Sequence, residues 1–262
     1  MLHSATTNMN HMELMFSLAG DQLHNASPFL QLFQSIVANE LNRHYGREGH
    51  FWSSRAKVEE IISDKRAETL LGYGACNVVK DGLVEKVAHW KGFSTTEALS
   101  KGTTLEFEYI DRTLWWKLGA DHREVDPSEY TKKVCIELTP LPSWKALSKS
   151  AQHTRFRRIV RDREKQAEKD RLAEGIVKVK GMERIEQESP FDKPQRRREK
   201  SPQPLCHAET EAEYKTYEAE HREIVKAHRI ASAAYRSGCH DVEFPLGTFR
   251  PPLVTVVAAQ AA

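Results

Sequence analysis

The chain has 262 residues and a formal net charge of +2, from 39 lysines and arginines against 37 aspartates and glutamates. A near-neutral balance excludes a global field that gathers polyanions, so any nucleic-acid binding has to come from local basic patches. No apolar run approaches the roughly 20 residues of a spanning helix, and no basic segment precedes an apolar one at the start. Together with four scattered cysteines that form no CxxC pair, this predicts a soluble, cytoplasmic protein with reduced thiols and no membrane partner.

In chain order, residues 8–18 alternate imperfectly, with Met9, Met12, Leu14, Phe16 and Leu18 apolar, and read as a strand. Ser27 and Pro28 open a helix as N-cap and first-turn proline. Phe29, Phe33, Ile36, Val37 and Leu41 then recur at helical spacing, and Gly46 closes it; the apolar stripe is expected in the core. Phe51–Val58 reads as a short strand or extended turn. Ser63 and Asp64 cap a second helix that Gly82 stops. Within it Gly72 and Gly74 flank Tyr73, each costing about 1 kcal/mol against alanine, which reads as local decay or as slack around the tyrosine.

Beyond Trp90, residues 94–142 mix short extended pieces and turns, with Trp115, Trp116 and Val134–Ile136 as expected buried spots. A long charged helix runs from Pro142 and Ser143 towards Gly175. Residues 176–206 read as a linker that includes Arg196, Arg197 and Arg198, a run that either holds phosphate or is simply solvated. A third long helix fits Glu209–Arg236, ended by Gly238, and the tail after Val242 is extended and proline-bound. The dipeptides Cys206-His207 and Cys239-His240 lack the spacing of zinc ligand pairs.

Three segments carry chemistry. The first is Asn10-His11-Met12-Glu13-Leu14; His11 and Glu13, two apart, share one face of a strand. The second contains Gly49, His50, Trp52, Arg55 and Lys57, an aromatic-plus-basic group suited to stacking on a base and neutralising phosphate, or else a packed tryptophan with two solvated charges. His44 and Arg47 extend it. The third places Tyr73 and Asn77 four apart on one helix face, followed by Lys80, Gly82, Leu83 and Val84.

In that order these segments resemble the REP-associated tyrosine transposases, a branch of the single-tyrosine HUH transposases of bacteria. Their patterns are Asn-His-x-His-Leu, Gly-His-x-Trp-x-x-Arg-x-Lys and Tyr-x-x-x-Asn-Pro-x-Arg/Lys-x-Gly-Leu-Val. The resemblance covers roughly residues 8–95. It implies an α+β fold, a ferredoxin-like HUH nuclease core over 1–95 that is incomplete at its N-terminus. A mixed connecting region over 96–142 and a charged, mainly helical extension over 143–262 follow. It also implies Tyr73 as nucleophile on single-stranded or hairpin DNA through a 5′-phosphotyrosine. Mg²⁺ or Mn²⁺ would sit on His11, Glu13 and Asn77, with Trp52, Arg55, Lys57, His50 and Lys80 on the DNA; a homodimer is one possible acting unit.

Glu13 stands where the family has its second histidine. As a hard-oxygen donor it suits Mg²⁺, which leaves an altered metal site or a strand whose site has decayed. Two further readings are a non-catalytic, transposase-derived nucleic-acid-binding protein and a helical interaction protein built on residues 143–238.

Overall fold

The structure is a computed structural model that describes residues 1–9, 11–18, 26–119, 125–189 and 205–252. It is a mixed α+β fold. In chain order the elements are β1 (Leu2–Thr7), β2 (Met12–Phe16), α1 (Ala26–His44), β3 (Glu60–Ile61), α2 (Asp64–Lys80), α3 (Thr96–Lys101) and β4 (Leu105–Ile110). They continue with α4 (Arg112–Leu118), β5 (Thr131–Ile136), α5 (Lys149–Ala173), α6 (Met182–Glu186), β6 (Cys206–His207) and α7 (Glu211–Arg236). The described strands form three two-stranded sheets: antiparallel β1–β2, parallel β3–β6 and antiparallel β4–β5. The chain divides into two compact units, one from residues 1–17 and 67–199, the other from 18–66 and 200–262.

The first unit is built on α2. Leu71, Ala75, Val78 and Val79 recur at helical spacing and are buried with Leu83, Val84, Val87, Leu141, Trp144 and Phe156. Ser63 accepts the Arg66 backbone N–H at 3.2 Å and caps the helix start. Its end is a Schellman turn: Leu83 N–H donates to Val78 O and Gly82 N–H to Val79 O, with Gly82 at φ 67°. α5, capped by Ser148 on Ala151 N–H, crosses α2 closely at Gly72. A β-carbon there would meet the Ile159 methyl and lie 2.8 Å from Arg163 Nε. Gly74 lies under the Glu13 carboxylate, 3.0 Å from where its β-carbon would be. The two glycines are therefore neither decay nor slack; each makes room for a neighbour.

Strand β1 is buried on both faces, at His3, Ser4, Ala5 and Thr6. β2 pairs along one of its edges. On the other, Thr95 N–H donates to Ala5 O and Thr7 N–H to Phe93 O. The residues expected as one strand over 8–18 form β2 alone, with the turn at Asn8 closed by Asn8 N–H donating to His11 O at 2.9 Å.

Several expectations are corrected here. Residues 94–142 hold two helices, α3 and α4, beside the β4–β5 ribbon. Trp116 is 76% exposed, and Trp115, Val134 and Cys135 are exposed as well, because the ribbon and α4 lie outside the buried cluster and nothing described covers them. Residues 176–206 include α6, whose Met182 and Ile185 pack on the core. Arg196–Arg198 and Val254–Ala262 lie outside the described residues.

In the second unit, α1 has the predicted span and Gly46 follows it at φ 61°. Its apolar stripe is not core: no α1 residue is buried, and Phe29, Leu32 and Ile36 are exposed. Burial needs a facing layer, which periodicity alone does not supply. Phe51–Val58 forms no strand; Trp52 Nε1 donates to Gln34 O at 2.8 Å and fastens this stretch to α1. α7 opens with a reciprocal capping box, Thr210 with Glu213. Tyr217 donates to the Glu60 carboxylate of β3, and burial, then that hydrogen bond, push its hydroxyl pKa up. Phe244 returns beside Tyr235 and His228 of α7.

Candidate functional site

The convergence of β2 on α2 brings together residues that are far apart in sequence. His11, Glu13 and Met15 share the face of the strand that looks at α2; Met15 packs on the core, and the other two meet Asn77. Asn77 Nδ2 lies 2.7 Å from His11 Nε2 and donates to Glu13 Oε1 at 3.0 Å, while His11 Nε2 and Glu13 Oε1 are 3.5 Å apart. For Asn77 to donate to His11, the imidazole carries its proton on Nδ1 and turns the Nε2 lone pair inward. Asn77 is 3% exposed, and its Oδ1 is buried without a hydrogen-bond partner in the structure.

That orphaned oxygen tests whether the trio fits a divalent cation. The amide N–H₂ stands between two Lewis-basic atoms, in the place a cation would take. Turning the amide by a half-rotation, an assignment that hydrogen-bonding normally decides, would put Oδ1 with Nε2 and Oε1. Three converging lone pairs repel unless a positive charge lies among them. Cis ligands of an octahedral Mg²⁺ at 2.0–2.1 Å are about 3 Å apart, and the observed separations of 2.7 and 3.0 Å are of that size. One imidazole, one carboxylate and one carboxamide are a donor set for Mg²⁺ or Mn²⁺. The residues fit. Among the described residues no group of three His, Cys, Asp or Glu side chains is placed to hold a metal; the third donor here is an amide, and neither Cys-His dipeptide contributes such a group.

Tyr73 is one helical turn before Asn77, half-exposed on α2. Lys80, exposed, donates to Tyr73 Oη at 3.2 Å, and its ammonium lies 4.6 Å from the ring centre. Asp81 accepts from Asn8 Nδ2 at 2.7 Å, which ties the turn before β2 to the end of α2 and so holds His11 near the helix. Asn8 and Gly74 are supporting residues that sequence reasoning missed. Only the i, i+2 spacing of β2 against a helix carrying small residues hinted at Gly74.

The remaining predicted DNA contacts, His50, Trp52, Arg55 and Lys57, belong to the second unit. His50, Arg55 and Lys57 are exposed. The Trp52 N–H is committed to Gln34 O, so only its ring faces are available for stacking.

Cys76, on the same helix, is turned into the core. Burial pushes its thiol up to about 12, and Sγ approaches Val160 O at 3.8 Å, so it is a packing residue. Comparisons with protein-family models, with curated proteins and with solved structures returned no match. No described helix is long and apolar enough to cross a membrane.

Proposed function

We propose that this protein cuts and rejoins single-stranded DNA through Tyr73, as a metal-dependent tyrosine transposase or a nuclease derived from one. The observation that carries this reading is the meeting of His11 Nε2, Glu13 Oε1 and the Asn77 amide within 2.7–3.5 Å, one helical turn from a half-exposed tyrosine. On this reading β1, β2 and the Phe93–Thr95 edge, backed by α2, are what the chain retains of a ferredoxin-like HUH core.

His11, Glu13 and Asn77 would hold Mg²⁺ or Mn²⁺, which when bound supplies positive charge to the non-bridging oxygens of the scissile phosphate. Tyr73 Oη attacks phosphorus, forming the O–P bond of a 5′-phosphotyrosine. The bond to the 3′-oxygen breaks, and that oxygen leaves as a hydroxyl after taking up a proton. Lys80 sets a positive charge beside the Oη that gives up its proton. The buried Asn77, hydrogen-bonded to both β2 side chains, fixes the group relative to Tyr73, so positioning supplies much of the rate. One phosphodiester is exchanged for another, so a 3′-hydroxyl can reverse the step without a nucleotide cofactor.

The test is incubation with single-stranded, hairpin-bearing DNA and Mg²⁺ or Mn²⁺, followed by denaturing electrophoresis. A protein–DNA adduct that needs metal and vanishes in Tyr73→Phe is expected; absence of any adduct from a folded protein that binds the DNA overturns catalysis. That second outcome would favour a non-catalytic DNA-binding protein. The observation behind this alternative is that Asn77 already bridges His11 and Glu13 as a hydrogen-bonded trio with no ion between them.

A further inference from the structure

The β4–β5 ribbon is out of register with the rest of the first unit in one respect: its aromatic residues are outside. Successive residues of a strand alternate faces. Leu105, Phe107 and Tyr109 therefore share one face, opposite Ile136, Val134 and Lys132 in the pairing register. Glu106, Glu108 and Ile110 take the other face, opposite Cys135, Lys133 and Thr131. The ribbon thus sorts its charge: both β4 carboxylates are on the second face, and the one charged strand residue on the aromatic face is Lys132. That lysine reaches Asp111 at 3.4 Å and remains well exposed.

The aromatic face is open and leads back to the candidate site. Phe107 is 39% and Tyr109 48% exposed. Phe93 continues the row, its ring centre 6.1 Å from that of Phe107. The Phe93 carbonyl accepts from Thr7 N–H at 2.8 Å and from Thr7 Oγ1 at 2.9 Å. Thr7 is paired with Met12, between His11 and Glu13. A row of rings therefore begins two residues from the donor trio and runs outward along β4, its members spaced about 7 Å apart along the strand.

We infer that this face, Phe93, Phe107 and Tyr109 with Lys132, is a stacking platform for single-stranded DNA entering or leaving the Tyr73 site. Rings at every second strand position take one base plane each and tolerate any sequence, because every base has a π-face. Lys132 meets backbone phosphate, and confining the glutamates to the reverse face keeps like charge away from the strand. A double helix, with its bases already stacked, has no planes to offer. The inference rests on the single-stranded DNA reading given above but assigns residues outside the metal and tyrosine machinery.

The experiment is fluorescence anisotropy of a labelled single-stranded deoxyoligonucleotide of mixed sequence, beside its duplex, with wild type, Phe107→Ala/Tyr109→Ala, Tyr109→Phe, Ile110→Ala and Lys132→Gln. Thermal melting checks that each variant folds, and adduct formation at saturating DNA is measured in parallel. The double variant is expected to bind single strands more weakly by about 5- to 100-fold per ring lost, with its adduct chemistry retained at saturation. Tyr109→Phe, which keeps the ring, and Ile110→Ala, on the reverse face, should bind like wild type. Lys132→Gln should lower the slope of log affinity against log salt by about 0.7. Wild-type affinity in the folded double variant, with adduct formation intact, overturns the platform and leaves the Tyr73 reading standing. A wild type that neither binds single strands nor forms an adduct overturns both. A wild-type dimer that the double variant dissociates, with DNA affinity unchanged, makes the face a contact between copies and also overturns it.

Discussion

Two glycines one residue apart in the same helix should respond oppositely to the same substitution. Gly72→Ala adds a β-carbon that would overlap the Ile159 methyl and lie 2.8 Å from Arg163 Nε, where α5 crosses α2. Arg163 is not free to swing away without cost, because its guanidinium donates to Thr69 O at 2.8 Å. Alanine gains about 1 kcal/mol of helix propensity. Against this stand about 1–3 kcal/mol of overpacking and about 1 kcal/mol for the strained or lost hydrogen bond, for a net destabilisation of roughly 1–3 kcal/mol. Gly74→Ala meets only the end of the Glu13 side chain, at 3.0 Å from Oε2, and that carboxylate can rotate towards solvent. Stability should then be unchanged or higher by up to about 1 kcal/mol. Glu13 would be displaced from Asn77, and the metal-dependent adduct should form about 10- to 100-fold more slowly, the usual penalty for disturbing the support of a metal ligand. Urea unfolding followed by circular dichroism gives the first quantity, and the initial rate of adduct formation the second. A Gly72→Ala protein as stable as wild type would refute the account of the α2–α5 crossing. Undiminished adduct formation in Gly74→Ala would remove Glu13 from the site.

Other outcomes follow from single contacts. Glu68 accepts from Trp144 Nε1 at 2.7 Å and from Arg155 at 2.7 Å while largely buried; Glu68→Ala strands both donors and should cost about 2–4 kcal/mol by urea unfolding. His3 is buried, donating from Nδ1 to Thr139 O and accepting at Nε2 from Ser17. Burial, with the N-terminal ammonium and Lys145 nearby, holds its pKa below the usual 6.5. The unfolded chain therefore takes up the proton first, and this contribution to stability is full above about pH 6.5 and lost as pH falls towards the folded value. Melting temperature between about pH 5 and 7 should fall more steeply in wild type than in His3→Gln. The Cys76 thiol should resist a disulfide reagent in folded protein while the exposed Cys135 and Cys239 react; equal rates would contradict its burial. Lys80→Met should slow adduct formation without weakening DNA binding by more than the loss of one phosphate contact.

The parts of the fold that were legible in sequence are those whose signal is local. The ends of α2, α5 and α7 are marked by Ser63, Ser148 and Thr210 at their starts and by Gly82, Gly175 and Gly238 at or just beyond their ends, since caps and positive-φ turns are decided within a few residues. The pairing of His11 with Glu13 on one strand face, and of Tyr73 with Asn77 on one helix face, was legible for the same reason. That the two faces would meet was not, because it depends on how β2 packs on α2. Burial was the least legible property. α1 and the ribbon have the composition of core elements, yet Phe29, Leu32, Phe107 and Trp116 are exposed, because no described layer is stacked against them. Gly72 and Gly74 were misread for a related reason: a glycine's purpose is set by the neighbour that comes close, and that neighbour is eighty-odd or sixty-odd residues away.

The interleaving of the two units bears on how the chain is made. Residues 18–66 leave the ribosome early, carrying α1 with its apolar side chains and a strand, β3, of two residues. Their partners, β6 and α7, lie beyond residue 200. At ordinary elongation rates the first half of that unit waits about ten seconds for the second. Throughout that interval the Phe29–Ile36 surface and the unpaired β3 edge are presented to the cytosol, an opening for holdase chaperones or for misassociation. By contrast β1 and β2 can find α2 as soon as residue 80 emerges. A nascent chain stalled between residues 100 and 200 should therefore hold a protected β2–α2 contact beside a protease-sensitive segment from 18 to 66.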